Sequence, residues 1–301
     1  MTVLINVVLP IFAVAGLAAL AQARLHLDPA TLSRAAFYLF APALVLDSLT
    51  NSDVGGLVLL QMAAVIVALT AILWVLGALV ARLLRREGAT QAAFLNAILL
   101  VNAGNYGLPV NLFAFGSAGL ARAALYLTVN SMLSSSVGVY LGASSGASAR
   151  TALKRVARVP LVYAAAVGLI VNLAGWTVPE PLAKAIALLG QASVPVMLAM
   201  LGITLAETFQ QGLQRRCLPA LGAVTVLRLV VSPLLAFLLA GWLGLDGLAR
   251  DVTVLESAMP SAVMTIILAS EFEADHAFAA LCVLGTTLGS LVTVTILLNL
   301  L

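Results

Sequence analysis

The chain has 301 residues, of which 62% are hydrophobic and 9% charged, and its net charge is +3. A charged share so far below the roughly 25% of soluble domains excludes a water-soluble globular fold, which has too little interior to bury that much apolar surface. The small positive charge is no nucleic-acid footprint either, because the basic residues are spread over short loops and no solvated domain gathers them on one face.

Ten apolar stretches follow in chain order, near 3–20, 31–50, 54–81, 90–115, 120–142, 160–176, 181–206, 217–243, 251–272 and 275–300. Each is close to the roughly 20 residues that a membrane-spanning helix needs. The expectation is an all-α integral membrane protein of ten transmembrane helices. No Lys or Arg precedes the first stretch and Arg24 follows it, so Ala21-Gln22-Ala23 reads as the end of a retained helix rather than the cleavage site of a leader. If the loops alternate between two sides, one side holds Arg24, Arg82, Arg85, Arg86, Arg150, Lys154, Arg155, Arg158, Arg215 and Arg216, against Arg122, Lys184 and Arg250 on the other. That asymmetry places the first side in the cytoplasm and both termini outside.

The prolines repeat. Pro10, Pro29, Pro42 and Pro109 have partners at Pro160, Pro179, Pro195 and Pro260, at offsets of 150, 150, 153 and 151 residues. The chain therefore divides into a first five-helix repeat over 1–143, a polar and basic cytoplasmic linker over 144–159, and a second repeat over 160–301. Five spans per repeat is odd, so the second repeat enters from the opposite face and the two halves form an inverted repeat.

Pro42 and Pro195 fall mid-segment in spans two and seven and are expected to kink them. Spans four and nine are more disrupted, by Asn102-Ala103-Gly104-Asn105-Tyr106-Gly107-Leu108-Pro109 and by Glu256-Ser257-Ala258-Met259-Pro260. A proline leaves the carbonyl four residues before it without a donor, which here predicts free carbonyls on Asn105 and Glu256. Broken backbone at membrane depth persists only where protein buries it or it lines a watery cavity, so the two breaks mark the candidate site. Asn102 and Asn105 are three apart and read as one helix face.

Glu256 lies about 8 Å into span nine at 1.5 Å per residue, where a proton, ion or substrate role and an unremarkable interfacial position are equally open. Arg228, about 16 Å into span eight, needs an anionic or carbonyl partner: Glu256, helix carbonyls or a bound organic anion, unless it snorkels to the interface. Asp47 sits near the outer end of span two, and Glu271, Glu273, Asp275 and His276 read as a solvated turn. Cys217 and Cys282 suggest neither a disulfide nor a metal site. No phosphate-binding glycine loop, catalytic Ser/His/Asp order or metal-ligand spacing is found. The expectation is no enzyme, no cofactor, no metal and no nucleic acid, with energy drawn from a gradient.

The motifs NAGNYGLP at 102–109, LESAMPSAV at 255–263, EFEAD at 271–275, PALV at 42–45 and SVPVML at 193–198 resemble those of bacterial members of the auxin efflux carrier family. That family includes the plant PIN proteins and bacterial carriers of malate and malonate. The resemblance implies a fold like that of the bile-acid sodium symporters, with a scaffold of helices 1, 2, 6 and 7. Beside it would stand a transport domain of helices 3–5 and 8–10, in which broken helices 4 and 9 cross at their prolines. It implies a secondary active carrier of a small organic anion in the bacterial inner membrane, moving by an elevator mechanism. Its site would be Asn102, Asn105, Gly107, Pro109, Glu256, Met259 and Pro260 with Arg228 as charge partner, and Pro42 and Pro195 on the scaffold side. Proton or sodium coupling, lipid contact, a homodimer, a sodium-coupled importer and a non-transporting ligand or lipid sensor remain open at this point.

Overall fold

A computed structural model describes residues 3–142, 154, 156–210, 217–271 and 274–301. Of the linker expected at 144–159, residues 144–153 and 155 lie outside the described residues. The described chain is helical apart from one isolated antiparallel bridge between Val101 and Ser261. The helices are α1 (Leu4–Leu25), α2 (Pro29–Thr50) and α3 (Gly56–Leu83), α4 (Gly88–Leu99), α5 (103–115) and α6 (117–142). They continue as α7 (Pro160–Leu173), α8 (Glu180–Gln210), α9 (Leu218–Trp242), α10 (Gly247–Ser257), α11 (Met264–Glu271) and α12 (His276–Leu300).

Among the described residues, seven helices are long and apolar enough to cross a membrane, where the sequence suggested ten spans with the fourth and ninth disrupted. The shortfall has physical causes. The fourth stretch splits at 100–102 and the ninth at 258–263, leaving half-helices of 12, 11 and 8 residues in α4, α10 and α11. The sixth, α7, holds only 14 residues, because Gly175 with φ +64° turns the chain away soon after it ends.

The other ends follow from local chemistry. Asp28 caps α2 by accepting from the backbone N–H of Ala30 and Thr31, just ahead of Pro29 at the first helical position. Asp275 caps α12 in the same way through the N–H of Phe278. Gly116, with φ +66°, separates α5 from α6. Four prolines are each preceded by a five-residue π-helical turn: Leu4–Val8 before Pro10, Ala36–Phe40 before Pro42, Ala103–Gly107 before Pro109 and Leu227–Val231 before Pro233. Widening the turn spaces the carbonyls differently where the missing amide and the ring would otherwise break the ladder. Pro195 instead lies inside the continuous α8, so the matched prolines Pro42 and Pro195 are accommodated in different ways.

Packing pairs α1 with α8 and α2 with α7, and α2 also lies against α8. The α1–α8 seam is a backbone contact: a Cβ on Gly202 would stand 1.9 Å from the Ala15 carbonyl oxygen. Separately, α3 packs on α4 and α9 on α10, while α3 and α9 pack on each other. The two broken stretches sit where these groups meet.

Candidate functional site

At the two interruptions the backbone pairs with itself. The Asn102 N–H donates to the Pro260 carbonyl at 2.9 Å, and the Ala262 N–H donates to the Leu100 carbonyl at 2.8 Å. Sequence-distant breaks thus satisfy each other's polar groups, which a low-dielectric surrounding demands. Further ties hold the junction: the Ser261 hydroxyl donates to the Ala97 carbonyl at 2.6 Å, and the Ser261 N–H donates to the Thr286 hydroxyl at 3.0 Å.

Asn102 is not on a helix face, as its spacing from Asn105 suggested. It stands at the mouth of α5 in a non-helical conformation, and its carbonyl accepts from the Gly107 N–H at 3.0 Å. Even so, Asn102 and Asn105 line one cavity of about 570 Å³, together with Leu100, Val101, Ala262 and Val263 from both breaks. Met197 and Met200 of α8, Ala41 of α2, and Asn130, Ser131, Ser134 and Ser135 of α6 complete its walls. The Asn102 amide nitrogen, Nδ2, is buried without a hydrogen-bond partner. Pro42 and Pro195 lie on α2 and α8, close in sequence to Ala41 and Met197, but neither lines the cavity.

Arg228 and Glu256 do not line the cavity either, and nor do Gly107, Pro109, Met259 and Pro260. Arg228, 2% exposed, occupies the wide turn of α9. It donates Nε to the Met259 carbonyl at 3.1 Å and Nη1 to the Ile98 carbonyl at 2.7 Å. Its Nη2 donates to the Ser232 hydroxyl at 2.9 Å and to the Ser257 carbonyl. The carbonyls at the C-terminal ends of α4 and α10 supply the partial negative charge that the guanidinium needs. Of the partners weighed from the sequence, helix carbonyls are the ones found, and no ion pair joins Arg228 to Glu256 among the described residues. Arg228 is a clamp on both interruptions.

Glu256 lies near the C-terminal end of α10, about 14 Å along the axis from Gly247. Its carbonyl is not free: the Met259 N–H donates to it at 3.1 Å, since the chain tightens as α10 ends. Its side chain is wholly buried, with Oε1 accepting from Asn111 Nδ2 at 2.9 Å and Oε2 unpartnered. The carboxylate lies over Gly107, where any Cβ would collide with it. Asn111, two residues past Pro109, escaped the sequence reading; it also donates to the Gly107 carbonyl at 3.0 Å and leaves its own Oδ1 unpartnered. Its only signal was an amide alone in an apolar run. Ser232 was not singled out, and Ser257 and Ser261 were given no role within their motif, because a serine hydroxyl often bonds a nearby carbonyl of its own helix.

Asp275 accepts from the Thr90 hydroxyl at 3.1 Å, joining the start of α12 to α4, and no cluster suited to a metal ion occurs among the described residues.

The sequence matches the family described as membrane transport protein over residues 3–152 and 144–298. The chain belongs to that family. It is 33% identical over 270 residues to an uncharacterized transporter of Methanothermobacter thermautotrophicus, covering 88% of this chain and 87% of that one. An uncharacterized transporter of Methanocaldococcus jannaschii is 30% identical over 203 residues, 66% of this chain and 64% of its own. A Rhizobium meliloti protein named as a candidate malonate transporter is 28% identical over 273 residues, 87% of this chain and 84% of its own. This member of the family is an integral membrane transport protein rather than an enzyme.

Proposed function

We propose that the protein is a secondary carrier of a small organic anion of the malonate type, which binds in the cavity beside the paired interruptions. The observation that carries the reading is the unpartnered Asn102 Nδ2, a buried donor beside Asn105 on a cavity bounded by both breaks. A carboxylate oxygen would satisfy that donor, whose desolvation is otherwise uncompensated. The relative named for malonate supports the same ligand class.

The architecture proposed is ten spans in two inverted repeats, 1–143 and 160–301, joined by the linker. Exchange of the halves maps the α1–α8 contact onto α7–α2 and α3–α4 onto α9–α10, and the two matched family segments overlap in the linker. The scaffold would be α1, α2, α7 and α8, with the remaining helices moving past it as an elevator carrying the crossed breaks. The inner membrane, with both termini outside, is the location that the charge asymmetry favours.

Glu256 is proposed as the coupling group. A carboxylate with one bare oxygen beside another bare acceptor, Asn111 Oδ1, invites a proton or a small cation. Proteoliposomes loaded by dilution and given labelled malonate test the carrier reading, with proton and sodium gradients imposed separately. Uptake driven by one gradient in the wild type and abolished in N102A is the expected result. Binding without flux would make the protein a sensor, and Glu256→Gln should erase the response to the driving gradient while the protein still folds.

A further inference from the structure

Six of the ten basic residues assigned to the cytoplasmic side, Arg24, Arg82, Arg85, Arg86, Lys154 and Arg158, are among the described residues, and one of these six stands apart. Arg158 lines the cavity. Among the described residues it is the cavity's single charged lining residue, with no Asp or Glu beside it on the lining. No carboxylate pairs with Arg158 among the described residues. Its side chain is exposed at the rim, whereas Leu100, Val101 and Asn102 form the buried end.

The backbone beneath Arg158 is fixed. Val159 is 4% exposed, its N–H donates to the Val156 carbonyl at 3.0 Å, and Pro160 opens α7. The residue's backbone is therefore anchored beside the cavity, while its side chain stays exposed. Ser131, Ser134 and Ser135 of α6 line the same cavity as Arg158 and the amides of Asn102 and Asn105.

We infer that Arg158 is the anion-capturing residue of this cavity, drawing a small carboxylate substrate into it before the buried amides take over; the inference rests on the carrier reading above. A cleft that carries one sign of charge and has low-dielectric walls focuses the field and raises the local concentration of counter-ions by about 10- to 1,000-fold, and a lone exposed cation belongs at the low end of that range. A charge kept only to orient the membrane segments has no need to line a cavity, and nine others already serve that purpose.

The test is initial-rate uptake of labelled malonate into proteoliposomes by wild type, R158K, R158Q and R158E, at about 50 mM and about 300 mM salt. Capture predicts a KM raised about tenfold in R158Q and further in R158E, with the maximal rate within about twofold and R158K close to wild type. It also predicts that the rise of KM with salt seen in the wild type flattens in R158Q. A KM in R158Q and R158E equal to that of the wild type, with the same salt dependence, overturns the inference and leaves the carrier reading intact. Failure of the wild type to take up or bind malonate overturns the carrier reading, and the inference falls with it. Melting temperature and cysteine accessibility in the same preparations confirm that the variants fold with unchanged orientation.

Discussion

The Glu256 carboxylate rests on the bare backbone of Gly107, so closely that a Cβ at residue 107 would stand 2.2 Å from Oε2 and 2.6 Å from Oε1. The two residues come from opposite halves of the chain, and their contact locks α5 to the end of α10. Gly107→Ala should therefore destabilise by about 1–3 kcal/mol, because the buried carboxylate must move aside and strain its bond from Asn111 to make room. Glu256→Ala in the same chain removes the obstruction, so the double variant should recover over half of the lost thermal stability. Additive losses in a double-mutant cycle by thermal melting would show that the contact is not the cause.

Arg228 satisfies three carbonyls and a hydroxyl with the planar fork of one guanidinium. A lysine ammonium keeps the charge but not the fork, and methionine leaves the carbonyls of Ile98 and Met259 without this donor at about 1–3 kcal/mol for each orphaned group, while the Ser257 carbonyl keeps the Ser232 hydroxyl as a donor. Melting temperatures should fall in the order wild type, R228K, R228M. Equal stability of R228K and wild type would mean that charge alone, rather than the fork, holds the junction.

Asn102 and Asn105 face the cavity, and the Asn102 amide nitrogen holds up no other group. Alanine at either position should cost within about 1 kcal/mol of stability, while malonate uptake falls by an order of magnitude or more. Normal uptake in both variants would move the binding site elsewhere in the cavity.

Orientation is testable in a chain whose two buried cysteines, Cys217 and Cys282, are replaced by alanine. A single cysteine at the exposed Glu87 should react only with reagents that reach the cytoplasm, and one at the exposed Asp246 only from outside. The reverse pattern would invert the topology.

The Asp28 cap titrates. Hydrogen bonds from the Thr31 hydroxyl, then from the Ala30 N–H, hold its carboxyl below the usual carboxylate value. A group whose folded value is depressed stabilises the fold above its unfolded value, and that contribution is lost as pH falls through the folded value. The wild type should thus lose stability below pH 3.8 more steeply than D28N, which keeps an acceptor but does not titrate. Parallel melting curves of the two proteins down to low pH would remove the cap from the account.

Sequence alone determined that this is a helical membrane protein, where its apolar stretches lie, and that the fourth and ninth are interrupted. Hydropathy and proline act locally, through the solvent a residue prefers and the amide a ring removes, so they can be read without a fold. Asn102 and Asn105 were legible for the same reason, as amides at a break. Tertiary structure alone decided which polar groups face the cavity and which brace it. Arg228 and Glu256 looked like partners in one site, yet one is spent on helix carbonyls and the other on Asn111 and Gly107. Arg158, read only as a topological charge, stands on the cavity. Such assignments depend on which of several buried acceptors a donor reaches first, and that is fixed by contacts between residues up to 185 positions apart.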